Sequence, residues 1–544
     1  MTTGPVCTRQ QKKESIIMKK SIRRVLSVIL SVILVFSVSA TAFAADEDVT
    51  PVIVVSGMGA YPLVNEDGTN AFPVSTDVMV SNIAQAVIPT IGSMVSDDFS
   101  MFNEYGTKSI FNIFEPISCD KDGNSVHYVT GKAFPGCAIQ YKEVFEERTS
   151  NESHMVCAVA DKVGWENTYY MYYDWRQNPL SIADTLDATV KQALSETGSD
   201  KVSLYAISFG GMITLSYMYK YGTDNIKNIV FSSTAFQGVE MVGKLFSNMI
   251  NINISEALDY FAGLASDIPF IAGLLGISAD VLPKYGTEAT VFIDKYLQHM
   301  EDEISLDLFT DVFAETFAHF KGMWAMVPAD YYEGAKAFVK SACPMGETFF
   351  DSVDEYIYNV QAKAKELIDE AQNEGVNVYI TGGYGYSEIP VTEGKSRQTD
   401  DLIETYLMTG GATVALYGET LQESDYVKES LCTEHNHKST DGVIDASTAI
   451  LPEQTWFVKN MKHVDLQENY ETSSLGLWLL MSDERLTVHS SEKYPQFVEL
   501  DRETGRFVSL TEGVTLAERT TVDFGDIFSK LLAFIEMIIA KFVK

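Results

Sequence analysis

Residues 204–211 read LYAISFGG, an apolar run that ends in one serine, with alanine two places before it and glycine two places after it. The run has the pattern of a buried strand, and GMITLSYMYKYG at 211–222 continues with a helical pattern. A tight turn between a strand and a helix holds a serine in a strained backbone conformation that exposes its hydroxyl, and small flanking residues prevent clashes. The stretch therefore predicts a nucleophile elbow with Ser208 as the candidate nucleophile.

Strands and helices alternate on both sides of this elbow. The helical pattern SIADTLDATVKQALSETG precedes it at 181–198, and five short apolar runs have the pattern of buried strands: PVIVVSGMG at 51–59, TYYMYYDWR at 168–176, KNIVFSS at 227–233, NVYITGG at 377–383 and GATVALYG at 411–418. Continuous apolar strands separated by helices are typical of a parallel sheet that is covered on both faces. We predict an α/β fold with a mostly parallel sheet flanked by helices.

The chain divides where this pattern changes. Residues 45–236 and 375–480 are predicted to form the two parts of the α/β core, and 237–374, rich in Met, Phe and Leu, a helical cap inserted between them. Open α/β sheets bind their ligands at the carboxyl edge of the strands, where we expect this cap to lie. The alternative is a helical subdomain with no role in binding. Residues 481–544 are predicted to form a hairpin at 494–510 and a terminal amphipathic helix.

The first 44 residues have the composition of a targeting segment. A basic cluster precedes the apolar run VLSVILSVILVFSV, and small residues lead to Ala42-Phe43-Ala44, which is the pattern of a secretory signal peptide. Residues 1–17 are interpreted as an upstream start-site artefact. We therefore expect a secreted or cell-surface protein of bacterial type, and an uncleaved membrane anchor is the alternative.

The net charge of −35 excludes the basic surface on which nucleic-acid binding depends. The terminal stretch at 524–544 places its apolar residues on one helix face and its charges on the other. Such a helix suits peripheral contact with a membrane, although packing against the body of the protein or self-association fits it equally well. The sequence leaves the oligomeric state open.

The cysteines and histidines indicate neither a disulfide framework nor a metal centre. Beyond the signal peptide the chain has five cysteines at wide, irregular spacings, and one bridge within 119–157 stays open. His435 and His437 lack a third and a fourth ligand at a convincing spacing. We expect no metal and no other cofactor.

A serine nucleophile needs a base and an orienting carboxylate, which in this fold follow it in the order Asp, then His. His463 lies between a strand-like WFV and the helical LGLWLLM, and we predict it to be the base; the alternative is a surface histidine beside Asp465. Asp441, in a D-G-V turn, is predicted to hold the imidazole in the correct tautomer, with Asp445 in reserve. The alternative for Asp441 is a turn-forming aspartate.

The oxyanion of an acyl-transfer intermediate needs two backbone N–H donors. The residue after the nucleophile, Phe209, supplies one of them. The other is predicted to be Met58 in the SGMG loop at 56–59, with Gly59 as the next candidate, because glycine lets the backbone approach a ligand closely. The alternative is that these glycines serve only a tight turn.

These segments together resemble the lecithin–cholesterol acyltransferase branch of the α/β-hydrolase superfamily. The segments that carry the resemblance are PVIVVSGMGAYPL at 51–63, YYDWR at 172–176, SFGG at 208–211, DGV at 441–443 and KHVDL at 462–466. Ser56, Ala206 and Ile207 depart from the family pattern. The resemblance implies a serine acyl-enzyme mechanism on a lipid ester beneath a lid, with either water or an alcohol as the acyl acceptor.

Trp175, in the YYDWR segment, and Trp324, in the lid-like MWAMVPADYY at 323–332, are predicted to contact the substrate. A buried ion pair between Asp174 and Arg176 is the structural alternative for the first segment. The leading hypothesis is a secreted serine hydrolase or O-acyltransferase that acts on lipid acyl esters. An esterase, thioesterase or peptidase of the same fold, and a non-catalytic cell-surface binding protein on a hydrolase scaffold, are the alternatives.

Overall fold

The computed structural model describes residues 49–75, 78, 82, 107–148, 150, 152–249, 315–388, 396–426, 437–465 and 469–513. The predicted signal peptide, the terminal amphipathic helix and residues 250–314 of the predicted cap lie outside these ranges. The described chain contains the whole of the predicted sheet and the elbow.

The strands are β1 (Val52–Val55), β2 (Leu63–Asn65), β3 (Asn70–Phe72), β4 (Val129–Gly131), β5 (Thr168–Met171), β6 (Val202–Ile207), β7 (Ile226–Ser232), β8 (Asn377–Tyr384), β9 (Tyr386–Ser387), β10 (Gln398–Thr399), β11 (Thr413–Val414), β12 (Ile444–Asp445), β13 (Thr455–Lys459), β14 (Phe497–Asp501) and β15 (Arg506–Ser509). Eight of them form one sheet in the order β15-β14-β13-β8-β7-β6-β1-β5, and β2, β3 and β4 form a small separate sheet.

The described α-helices are α1 (Thr107–Phe114), α2 (Lys142–Glu146), α3 (Ser153–Val163), α4 (Pro179–Thr197), α5 (Phe209–Tyr221), α6 (Glu240–Phe246), α7 (Glu315–Phe317), α8 (Lys321–Ala325), α9 (Ala329–Ala342), α10 (Phe349–Tyr356), α11 (Ala364–Asn373), α12 (Thr405–Met408) and α13 (Tyr470–Leu480). None of the described helices has the length and apolar character needed to cross a membrane.

The large sheet is parallel except for β15, which pairs antiparallel with β14. Every residue of β1, β6 and β8 is buried, as expected for apolar strands that are covered by helices on both faces. The molecule therefore has the predicted fold class, the α/β-hydrolase fold. Because the strands are parallel, their carboxyl ends lie along one edge of the sheet, and the loops that follow them meet there.

Two sequence expectations at the far side of the sheet have different outcomes. The predicted hairpin at 494–510 is present as β14 and β15. The predicted sheet strand at 411–418 is wrong, because only β11 forms there and it pairs antiparallel with β12 outside the large sheet. Its two residues are only half-buried, whereas every residue of the central strand β8 is buried. The position next to β8 belongs to β13.

The described helices of the predicted cap divide into two groups. The helices α10 and α11 pack against the core: α10 contacts α4, and α11 contacts α5 and β8. The helices α6 and α9 pack against each other, and α8 lies against α10. The segment 237–374 is therefore not all cap, because its carboxyl-terminal part completes the helical layer of the core.

A cluster of buried charged residues joins α6 to α12. The Glu240 backbone N–H donates to Glu404 Oε2 at 3.0 Å, and the Lys244 Nζ lies 2.9 Å from Glu388 Oε1 and 3.2 Å from Glu240 Oε1. Glu404 is 1% exposed. Burial raises the pKa of the Glu404 carboxyl from 4.5 to about 8, and the nearby Glu240 and Glu388 carboxylates add to the rise.

Glu404 gives the fold a pH dependence with a definite sign. A carboxyl whose pKa is higher in the folded state than in the unfolded state stabilises the fold fully below pH 4.5, and this contribution is lost as pH rises towards 8. Glu404→Gln keeps an acceptor for the Glu240 N–H and removes the titration. We expect its melting temperature to match the wild type at pH 4.5 and to exceed it at pH 9 by about 5 °C or more.

Thermal unfolding of both proteins between pH 4.5 and pH 9 measures this difference. Glu503→Gln, at the exposed turn between β14 and β15, is the control and should follow the wild type at every pH. A difference in melting temperature between Glu404→Gln and the wild type that stays constant from pH 4.5 to pH 9 would contradict the raised pKa of Glu404.

Candidate active site

Ser208 lies in the turn between β6 and α5 with φ 51° and ψ −119°. This backbone conformation is costly for a residue with a side chain, of order 1–3 kcal/mol, and it is the strained geometry that the elbow motif predicts. The close packing of α5 explains the two glycines that follow. A Cβ on Gly210 would lie 2.4 Å from the Val55 carbonyl oxygen, and one on Gly211 would lie 1.9 Å from Thr234 Cγ2. The predicted elbow is confirmed as a structural feature.

His463 follows β13 and is held by an aspartate. Its Nδ1 lies 2.7 Å from Oδ2 of Asp400, and its backbone N–H donates to the Asp400 carbonyl oxygen at 2.7 Å. The other carboxylate oxygen of Asp400 accepts the backbone N–H groups of Leu402 and Ile403 at 3.2 and 2.8 Å. Asp400 is fully buried, and His463 is 8% exposed. These bonds fix the orientation of the carboxylate and therefore of the imidazole.

The sheet brings these residues to the same edge. Ser208 directly follows β6, Asp400 follows β8 through the short β9 and β10 pair, and His463 follows β13. The order of strands β6, β7, β8 and β13 in the sheet places all three loops at neighbouring carboxyl ends. Serine, aspartate and histidine thus occur in the chain order that the fold requires.

Asp441, the carboxylate predicted from the sequence, has different partners. Its Oδ2 lies 3.0 Å from the Tyr384 hydroxyl and 3.3 Å from the Lys459 ammonium, and both Asp441 and Lys459 are almost completely buried. The prediction that Asp441 holds the imidazole of His463 is therefore corrected: the carboxylate at His463 Nδ1 is that of Asp400. The reserve candidate Asp445 caps a short helical turn by accepting bonds from the Ser447 backbone and hydroxyl.

The sequence contained one signal that points to Asp400. The acid of this fold lies between the serine and the histidine along the chain, and the run NVYITGG, part of β8, lies beside the histidine strand β13 in the sheet. Asp400 and Asp401 are the aspartates that follow β8 most closely along the chain. The D-G-V pattern predicted Asp441 instead. In this chain the aspartate of that turn forms the ion pair with Lys459.

The loop after β1 approaches the nucleophile closely. A Cβ on Gly57 would lie 3.2 Å from the Cβ of Ser208, a tighter contact than most, so glycine favours this approach. The Gly57 N–H is already occupied, since it donates to Glu152 Oε1 at 2.7 Å. The next N–H along the loop belongs to Met58, the predicted donor. Phe209 is the first residue of α5, so its N–H has no partner within its helix.

Glu152 is a residue that the sequence analysis missed. It directly precedes α3, is 4% exposed, and its Oε2 accepts the Tyr170 hydroxyl at 2.7 Å. Burial raises the pKa of the Glu152 carboxyl, while hydrogen bonds from Tyr170, Gly57 and Ser56 and the nearby His463 oppose the rise. No local pattern marks this residue, because the bond that matters joins positions 95 residues apart.

The two tryptophans predicted to contact substrate lie in the core. Trp175 is 1% exposed and packs edge-on against Phe72 and Phe320. Trp324 is fully buried, and its Nε1 donates to the Ala318 carbonyl oxygen at 2.7 Å. The structure therefore corrects both predictions: the rings fill space between elements and have no open face for a ligand.

The structural alternative for the YYDWR segment is confirmed. The Arg176 guanidinium pairs with the Asp174 carboxylate at 2.7 Å and donates to the carbonyl oxygens of Ile117 and Val129 at 2.7 and 3.2 Å. Arg176 is fully buried, so this network ties the end of β5 to the segment that contains β4. Its contribution is to the architecture around the site.

The described cysteines are free thiols, namely Cys119, Cys137, Cys157 and Cys343. The bridge left open within 119–157 is therefore not formed. In the described ranges no group of three or more His, Cys, Asp or Glu side chains is arranged to hold a metal ion. His437 is buried, and its Nδ1 lies 2.9 Å from Gln496 Oε1.

No protein-family model and no curated protein matches the chain. A chain of the Tle4–Tli4 complex is 11% identical, covering 62% of this chain and 75% of that one, with a TM-score of 0.29. MGS-M2, an α/β-hydrolase enzyme from a Medee basin deep-sea metagenome library, is 12% identical, covering 60% and 84%, with a TM-score of 0.24. The bromoperoxidase of Bacillus anthracis is 10% identical, covering 64% and 86%, with a TM-score of 0.22. These likenesses do not indicate an activity for this protein. The fold is established by the strand order and the elbow alone.

Proposed function

We propose that this protein is a serine hydrolase or O-acyltransferase in which Ser208 is the nucleophile, His463 the general base and Asp400 the orienting carboxylate. The observation that carries the proposal is the 2.7 Å bond from His463 Nδ1 to the buried Asp400, at the sheet edge where the elbow presents Ser208. A carboxylate bound to Nδ1 leaves Nε2 of the imidazole to accept a proton.

The reaction follows from these roles. Ser208 Oγ attacks the acyl carbonyl carbon as His463 takes its proton, and the carbonyl oxygen becomes an oxyanion bound by the Met58 and Phe209 N–H groups. The intermediate collapses, the C–O bond to the leaving alcohol breaks, and His463 returns the proton to that alcohol. Water or an acceptor alcohol then attacks the acyl-enzyme by the same steps and frees Ser208.

We further propose a lipid acyl ester as the substrate and export as the route to it. The substrate class is supported by the resemblance of the first strand, the YYDWR segment and the elbow to the lecithin–cholesterol acyltransferase branch. Export is supported by the composition of residues 1–44.

A substrate panel tests the proposal. We expect turnover of acylglycerols or phospholipids, little turnover of a thioester and none of a peptide, all measured as released acyl product. Adding a long-chain alcohol would divert product from free acid to ester if the enzyme transfers its acyl group to alcohols. Cleavage of peptides alone would contradict the substrate class, and inactivity on every ester would contradict the proposed function.

A further inference from the structure

We propose that Glu152 is a positioning residue of the oxyanion loop, defined as residues 56–59: its carboxylate holds Gly57 so that the Met58 N–H faces the reacting carbonyl. This inference rests on the proposed function, and Glu152 itself takes no part in bond making or breaking. It deepens the proposal by naming what holds this loop, which contains Gly57 and Gly59, in one conformation.

Both oxygens of the Glu152 carboxyl are engaged at the loop. Oε1 accepts the Gly57 N–H at 2.7 Å, and Oε2 accepts the Tyr170 hydroxyl at 2.7 Å. The Tyr170 hydroxyl also lies 2.9 Å from Ser56 Oγ, which in turn donates to the Gly57 carbonyl oxygen at 3.0 Å. The carboxyl thus binds Gly57 at its N–H, and Ser56, with the Tyr170 hydroxyl beside it, binds Gly57 at its carbonyl.

The bond from Ser56 Oγ to the Gly57 carbonyl affects the direction of the Met58 N–H. The Gly57 carbonyl and the Met58 N–H belong to the same peptide unit, which is planar, so fixing one fixes the direction of the other. Glu152 fixes the Tyr170 hydroxyl, which lies 2.9 Å from Ser56 Oγ, and Ser56 Oγ donates to that carbonyl. A donor aimed in advance at the developing oxyanion costs no reorganisation during the reaction.

Gly57 separates the carboxyl from the nucleophile. A Cβ built on Gly57 would lie 3.2 Å from Glu152 Oε1 and 3.2 Å from Ser208 Cβ. The space that a side chain on Gly57 would fill therefore lies between the carboxyl and Ser208. The Glu152 side chain is 4% exposed. Burying an acid costs free energy unless its hydrogen bonds offset that cost, so the bonds of this carboxyl matter to the fold around the loop.

The hydrogen-bond network indicates which substitution preserves the loop. In Glu152→Gln the amide oxygen can accept the Gly57 N–H, while the amide nitrogen donates to the Tyr170 oxygen. Tyr170 can then donate to Ser56 Oγ, and Ser56 still donates to the Gly57 carbonyl. Glu152→Leu has similar volume but leaves the Gly57 N–H without its acceptor and removes the carboxyl that fixes the Tyr170 hydroxyl.

The neighbouring residue of β5 offers a matched control. The Tyr169 hydroxyl donates to Glu196 Oε2 at 2.9 Å, so this is also a tyrosine–glutamate pair, but Tyr169 and Tyr170 point to opposite faces of the sheet. Glu196 is exposed on α4 and far in sequence from the oxyanion loop. Glu196→Leu breaks the same kind of bond without touching residues 56–59.

Steady-state kinetics on one ester tests the inference. We expect Glu152→Leu to lower kcat by about 10²-fold, as for loss of an oxyanion donor, with KM within about threefold of the wild type. Glu152→Gln should keep kcat within about tenfold, and Glu196→Leu should match the wild type. Melting curves establish that each variant is folded. If Glu152→Leu does not fold, Tyr170→Phe replaces it, with a fall in kcat of about tenfold expected from the lost bond.

An unchanged kcat in folded Glu152→Leu, or in Tyr170→Phe where that variant replaces it, would overturn the inference. A change in KM without a change in kcat would also overturn it. So would a Glu152→Gln variant that is as inactive as Glu152→Leu. If the wild type is active and Glu152→Leu has the same kcat, the inference is refuted but the proposed function is not. A wild type that is inactive on every ester refutes the proposed function and this inference with it.

Discussion

Asp400→Asn is expected to lower kcat for ester hydrolysis by about 10⁴-fold, the size of effect seen when the corresponding carboxylate of serine proteases is made an amide. The asparagine oxygen can still accept the Leu402 and Ile403 N–H groups, so the loop should keep its shape. What is lost is the negative partner of His463 Nδ1, and with it the correct tautomer and the stabilised imidazolium. The measurement is kcat beside a melting curve.

The control is built on the carboxylate that the sequence favoured. Asp441→Asn alone would leave the buried Lys459 ammonium without its anion, at a cost of about 3–5 kcal/mol. The double variant Asp441→Asn with Lys459→Met removes both charges and keeps an acceptor for the Tyr384 hydroxyl, so it should fold and keep kcat within a few-fold. Loss of activity in the double variant with retention in Asp400→Asn would reverse the assignment.

Ser208→Ala is expected to lower turnover of a medium-chain ester by about 10⁴-fold or more, because loss of the nucleophile removes the acyl-enzyme route. Ser208→Gly should lose as much activity and melt at a higher temperature than Ser208→Ala, since glycine adopts φ 51° and ψ −119° without strain. Turnover assays and thermal unfolding measure the two effects separately.

Ser233→Ala is the matched control for this pair. Ser233 also has a positive φ, 46°, and it follows the neighbouring strand β7, but no elbow glycine follows it. Its turnover should equal that of the wild type. Full activity in Ser208→Ala would contradict the role of Ser208, and so would an equal loss in Ser233→Ala.

The parts of the structure that local sequence patterns predict are those that depend on neighbouring residues. The apolar run that became β6, the glycines packed against β1 and Thr234, and the placement of His463 between β13 and α13 all follow from short stretches of chain. Such stretches indicate element type and turn geometry, because each of these is decided within a few residues of the chain.

The contacts between distant segments could not be predicted in this way. Asp400 reaches His463 across 63 residues, and the short β9 and β10 pair that carries it has no strong pattern of its own. Glu152 reaches Gly57 across 95 residues from the start of a helix. Trp175 and Trp324 have the composition of a ligand-binding surface, but tertiary packing buries both.

Labelling with a fluorophosphonate probe followed by peptide mapping tests the central claim most directly, because such a probe reacts covalently with a serine hydroxyl only when a base activates it. The account predicts one adduct, on the peptide that contains Ser208, formed by the wild type and by the Asp441→Asn, Lys459→Met double variant, much slower in Asp400→Asn and absent from Ser208→Ala. An adduct on any other residue, or a folded wild type that never labels, would contradict it.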